Sequence, residues 1–242
     1  MADSNSNIAL DVRNLHKAFG GIKAVDGCDL QFPRGKISGL IGPNGSGKTT
    51  TFNLLTGIAI PDAGEVLFNG ENLAGLKPYQ VFRKGITRTF QITRIYREMT
   101  VFENMLSVME LDVPEKVARE RADELMDFVN LTPLRDEYGM NLSYGQQKLL
   151  EFARALMTDP SLILLDEPAA GVNKTLLQDL LKRIHQLQEQ GKTIIIIEHD
   201  MKVIMNHCEK IFVMDYGVKI AEGPAEEIQR NERVIEAYFG HR

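Results

Sequence analysis

Residues 42–49 run Gly42-Pro43-Asn44-Gly45-Ser46-Gly47-Lys48-Thr49, and Thr50 follows. Gly42, Gly47, Lys48 and Thr49 stand at the spacing of a phosphate-binding loop. Glycine-rich backbone can turn several N–H groups toward one anion, and a helix N-terminus adds positive partial charge. Lys48 would then reach β- and γ-phosphates, and the Thr49 hydroxyl would sit on Mg2+. A second group lies far along the chain, where Leu162-Ile163-Leu164-Leu165 ends in Asp166-Glu167. An aliphatic strand closed by a carboxylate is the expected partner of such a loop. Asp166 would hold Mg2+ through water, and Glu167 could polarise an attacking water. The implied chemistry is phosphoryl transfer.

Such groups need stiff elements beneath them. The run 37–41 is compact and apolar and leads straight into Gly42; 162–165, 193–197 and 211–214 are further unbroken aliphatic runs. Continuous runs of this kind suit strands covered on both faces, which means a parallel sheet. A helix over about 174–190 carries Leu176, Leu177, Leu180, Leu181, Ile184 and Leu187 on one stripe, with Gly191 where a C-terminal cap belongs. Early segments, 9–12 and 30–32, look like antiparallel strands near a sheet edge. The middle differs: 92–141 is mostly helical and charged, with candidate helices at 101–110 and 115–129 and with Pro114 and Pro133 as punctuation. It reads as a helical insertion, about 92–155 when the helix opened by Ser143 is counted. The end, 224–242, reads as a short helical tail.

Composition bounds the function. The chain has 242 residues, 43% hydrophobic and 25% charged, which fits a globular protein and excludes a disordered or collagen-like one. Lys plus Arg number 28 against 33 Asp plus Glu, a net charge of -5, which argues against a non-specific nucleic-acid binder. Cys28 and Cys208 cannot make a disulfide framework and read as small reduced core residues. Residues 1–7 are polar and lack the apolar core of a targeting segment. No run approaches the ~18 apolar residues of a membrane span, so a membrane role would run through a partner.

Leu142-Ser143-Tyr144-Gly145-Gln146 opens a helix just ahead of Asp166-Glu167. Ser143 is a good N-cap, and Gly145 permits close backbone approach. The string resembles the Leu-Ser-Gly-Gly-Gln signature of ATP-binding cassette proteins, with Tyr144 where a glycine usually stands. That resemblance spans about 8–240 and implies a P-loop NTPase α/β core with a mainly parallel sheet, an N-terminal antiparallel β subdomain and an inserted α-helical subdomain. It implies one ATPase domain over 1–242. It also implies roles: Gly42 to Thr50 and Phe19 bind ATP, with Phe19 stacking on adenine. Thr49, Gln91 and Asp166 hold Mg2+; Glu167, His199 and Gln91 serve hydrolysis. Ser143, Tyr144, Gly145 and Gln146 would face the nucleotide of a second cassette. Asn173 stands where most members have an aspartate between the two copies, keeping hydrogen bonding but losing charge.

Within the family, Gly85-Ile-Thr-Arg-Thr-Phe-Gln91, Thr100-Val-Phe-Glu-Asn104, Asp166-Glu-Pro-Ala-Ala-Gly-Val-Asn173 and Val234-Ile-Glu-Ala-Tyr-Phe-Gly240 look like the ATP-binding subunit of branched-chain amino acid importers. Urea importers and lipopolysaccharide-export ATPases share much of the pattern. The expected partners are an identical or related second cassette, integral membrane permease subunits and, indirectly, a solute-binding protein, with the chain peripheral on the cytoplasmic face of the membrane. The segment after Gln91, through about Glu103, is the expected permease-docking surface, with Arg94, Ile95, Tyr96 and Arg97 as its mixed basic and apolar face. A nucleic-acid mechanoenzyme would normally carry long heptads or a zinc module here, and neither occurs; nucleic acid is not an expected partner. A phosphate-transferring kinase would lack the Ser143 signature and the His199 switch.

Overall fold

The computed structural model describes residues 7–109 and 113–239. The polar start of the chain, the end of the expected 101–110 helix and the last residues of the tail fall partly or wholly outside that range. Two long strands come first, β1 (Ile8–Phe19) and β2 (Ile22–Pro33), followed by β3 (Ile37–Ile41) and α1 (Lys48–Leu55). Then come β4 (Ala63–Phe68), β5 (Glu71–Asn72), α2 (Pro78–Arg83) and the three-residue β6 (Ile86–Arg88). The helical insertion holds α3 (Val101–Leu106), α4 (Glu115–Phe128) and α5 (Tyr144–Leu156). The chain returns through β7 (Leu162–Asp166), α6 (Lys174–Glu189), β8 (Thr193–Ile197), α7 (Met201–His207), β9 (Lys210–Asp215) and β10 (Val218–Gly223). Two short helices, α8 (Ala225–Arg230) and α9 (Glu232–Phe239), finish it.

The strands form two sheets. One is antiparallel with order β2-β1-β4-β5; the other has order β10-β9-β3-β8-β7-β6 and is parallel except for the β9–β10 hairpin. The early strands therefore build their own sheet instead of lying at an edge of the parallel one. Sequence patterning misses β4, which carries Gly64 and Glu65, and β6, which is too short to show a period.

The aliphatic runs are unbroken because both faces of the parallel sheet are covered. Ile163, Leu165, Ile194 and Ile196 face the cluster built with α3 to α6, while Leu162, Leu164, Ile195 and Ile197 face α1 and the antiparallel sheet. Register then does the positioning. Leu40 lies level with Ile197, and Ile197 with Asp166, so β7 and β8 end level and β3 runs one residue further. Gly42 and Glu167, which follow β3 and β7, and His199, two residues past β8, emerge at the carboxyl edge, where ligands bind in open α/β sheets. The buried thiols are free, and burial pushes Cys28 up to about 11 and Cys208 to about 12.

Candidate active site

The glycine-rich loop bridges β3 and α1, and its last glycine is the helix N-cap, with φ 102°. A side chain there would be strained by that φ, and its Cβ would fall on the Ala24 carbonyl oxygen. The β9–β10 hairpin braces the loop through Gly217 N–H donating to the Ser46 carbonyl at 3.0 Å. Lys48 is buried, and its Nζ donates to the carbonyls of Gly42 at 2.8 Å and Pro43 at 2.9 Å. Desolvation pulls its pKa down, opposed by the charges of Glu167 and Asp166.

A cavity of about 470 Å³ opens above the loop. Asn44, Gly45, Gly47, Lys48, Thr49 and Thr50 line one side, and Gln91, Glu167 and His199 the other. Glu167 is the hub. Gln91 Nε2 donates to one carboxylate oxygen at 2.9 Å, and His199 Nε2 lies 2.9 Å from the other. A carboxylate held at both oxygens beside a phosphate-binding loop can accept a proton from water attacking a terminal phosphate.

Asp166 sits behind this wall and does not line the cavity. Arg88 Nη2 donates to Asp166 Oδ2 at 2.6 Å, and Arg88 Nη1 donates to Asn53 Oδ1 at 2.6 Å. Mg2+ fits the donor chemistry here: a hydroxyl on Thr49, an amide oxygen on Gln91 and a carboxylate on Asp166 are hard oxygen ligands. Among the described residues no cluster of three His, Cys, Asp or Glu could hold a metal alone.

Other expected residues also stand apart from the cavity, Gly42 among them. Phe19 is exposed at the end of β1 and pairs with Ile22, which lines the cavity, while Phe19 itself does not. Pro43 lines a second cavity of about 550 Å³ with Asp215, Tyr216 and Arg233. Ser46, within the loop, is buried. Ser143 to Gln146 begin α5 away from this cavity. Ser143 caps the helix, its Oγ accepting from Gln146 N–H at 3.3 Å while Gln146 Oε1 accepts from Ser143 N–H at 2.8 Å. The Asn173 side chain caps α6, accepting from Leu176 N–H at 2.9 Å.

Sequence reasoning missed Arg88, Lys148 and Glu198. Arg88 is a lone charge in a buried three-residue strand, Lys148 lies on the buried side of α5, and Glu198 directly follows an all-isoleucine run. A charge inside an apolar pattern is the signal that finds each of them.

A groove of about 470 Å³ runs between β6 and the helical insertion. Phe90, Arg94, Ile95, Tyr96, Glu151 and Arg154 line it; Arg97 does not. Buried Asn104 fixes its rim, accepting from Tyr96 N–H at 2.8 Å and donating to the Tyr96 carbonyl at 2.8 Å.

The family model described as ABC transporter matches residues 25–170, and the one described as branched-chain amino acid ATP-binding cassette transporter matches 218–242. The high-affinity branched-chain amino acid transport ATP-binding protein BraF of Pseudomonas aeruginosa is 40% identical over 96% of this chain and 97% of its own length. LivG of Escherichia coli K12, with the same description, is 39% identical over the same shares. A nucleotide-free ATP-binding cassette from an ABC transporter superposes with a TM-score of 0.88 at 36% identity, covering 97% of this chain and all of that one.

Proposed function

The chain belongs to the ABC transporter family as an ATP-binding, ATP-hydrolysing subunit, and we propose that it energises the import of branched-chain amino acids. The full-length likeness to proteins named for that transport, extending through the tail, supports this cargo.

The observation that carries the mechanism is Glu167 gripped between Gln91 and His199 across from the glycine loop. The loop amides and Lys48 bind the β- and γ-phosphates, and Phe19 stacks on the adenine. Thr49, Gln91 and Asp166 are the residues that would hold Mg2+, which when bound offsets phosphate charge. Glu167 polarises the attacking water, and His199 orients it. Ser143 to Gln146 of a second cassette, identical or related, close over the γ-phosphate. ATP thus favours the closed pair, and hydrolysis releases it, a population shift driven by differential affinity.

The groove at Phe90 and Tyr96 receives a membrane subunit. No helix among the described residues is long and apolar enough to cross a membrane, and the chain works peripherally, at the cytoplasmic face. We take 1–242 as one cassette with a helical subdomain at 92–155 and a tail at 224–242.

The test is reconstitution in proteoliposomes with its copurified membrane subunits and solute-binding protein. Leucine-loaded binding protein should stimulate ATP hydrolysis and leucine uptake. Uptake of urea, or extraction of lipopolysaccharide, without leucine uptake would replace the cargo assignment.

A further inference from the structure

Glu167 has φ 50°, the left-handed region that a residue with a Cβ occupies only when its surroundings hold it there. Two groups do so at its backbone. Its N–H donates to the Ile197 carbonyl at 2.9 Å, and its own carbonyl accepts from Lys148 Nζ at 2.8 Å. Lys148 is buried on α5, one helical turn after Tyr144. Its ammonium is desolvated, and Glu151, Glu198, Glu167 and Asp166 supply the compensating charge.

The segment after Glu167 is held from the same two sides. Ala169 N–H donates to Glu198 Oε1 at 2.5 Å, at the end of β8. On the α5 side, the Tyr144 ring packs against Gly171 so closely that a Cβ there would stand 2.6 Å from its Cε1. Gly171 also has φ 73°, so only glycine meets both conditions.

We propose that Lys148 is a positioning residue for hydrolysis: its grip on the Glu167 carbonyl fixes the left-handed turn that aims the carboxylate into the cavity, and it ties that turn to the helix whose first residues serve the neighbouring cassette. This rests on the roles proposed above for Glu167 and Ser143. One turn of α5 separates the two ends. A shift at Ser143 on closure therefore reaches Glu167 of the same chain without passing through the phosphates, and each cassette's hydrolysis becomes sensitive to engagement at the other site.

Lys148→Met keeps the aliphatic length and removes the donor. It should hold ATP affinity and KM within about threefold while kcat falls about tenfold or more, because misplacing a catalytic group acts on the chemical step. Lys148→Arg, which still presents a donor, should recover most of kcat. A merely structural residue would lower thermal stability without separating kcat from KM. A kcat for Lys148→Met within about twofold of wild type overturns the proposal. If Lys148→Met does not fold, the crystal structure of the wild-type chain with ATP decides. Lys148 Nζ must stay within about 3.2 Å of the Glu167 carbonyl, and a broken contact overturns the proposal. A wild-type chain that binds no ATP would instead remove the reading beneath it.

Discussion

Arg88 and Asp166, 78 residues apart, meet at 2.6 Å with side chains only 6% and 5% exposed. The guanidinium also holds Asn53 on α1 and lies over the Phe52 and Phe90 rings, 5.4 and 5.1 Å from their centroids. One side chain thus joins the phosphate-loop helix, the end of β7 and the approach to Gln91. Arg88→Met would leave a buried carboxylate without its partner, at a cost of about 3–5 kcal/mol. Urea unfolding should show that loss. The double variant with Asp166→Asn should lose less than the two single losses summed, since the pair is coupled.

Glu167→Gln keeps the size of the side chain and its contact distances but cannot take a proton. ATP binding should persist, while turnover should fall by about 10²–10⁴-fold, the usual contribution of a general base. Filter binding and single-turnover phosphate release separate the two. Turnover at the wild-type rate would reject Glu167 as the residue that polarises water.

Lys48→Ala should remove most nucleotide affinity, because the single buried ammonium of the loop is lost. Gly47→Ala should do the same by another route. Its φ of 102° and the Ala24 carbonyl leave no room for a methyl group, so the loop must reshape. Isothermal titration with ATP checks both, and unchanged affinity in Lys48→Ala would remove the phosphate-loop assignment.

His207 Nδ1 lies 2.9 Å from His185 Nε2, between α7 and α6. Burial first, and the neighbouring His185 charge second, hold the His207 pKa below its ordinary value. The unfolded chain therefore takes up the proton before the folded one as pH falls. Stability from this site is full above about pH 6.5 and declines below it, toward the lowered folded value. Thermal melts across that range should steepen in wild type and flatten in His207→Asn; parallel curves would reject the assignment.

Tyr96→Ala opens the groove rim and removes the ring that Arg154 covers at 5.0 Å. Copurification with the membrane subunits should drop in this variant and stay intact in Arg97→Ala, because Arg97 lies outside the groove. Loss with Arg97→Ala alone would relocate the docking surface.

The phosphate loop was legible because its chemistry is local: eight consecutive residues after an apolar strand fix a backbone shape whatever surrounds them. Asp166-Glu167 was legible for the same reason, as the end of an aliphatic run. The Ser143 cap, with Gln146 three residues on, is likewise contiguous and folds as its sequence reads.

Which residues meet was decided elsewhere. The run Thr193 to Ile197 is buried on both faces, so its pattern cannot set its register, and sliding it by one residue would still bury isoleucine. Only the assembled ladder puts Ile197 level with Asp166 and brings His199 to Glu167. Arg88 and Lys148 became visible only with tertiary packing, which carries β6 against β7 and lays α5 beneath the turn at Glu167. The residue order specified the chemical groups and their immediate backbone. Contacts between groups 19 to 78 residues apart depend on long-range packing, in which each charge is tolerable only because a distant partner compensates it.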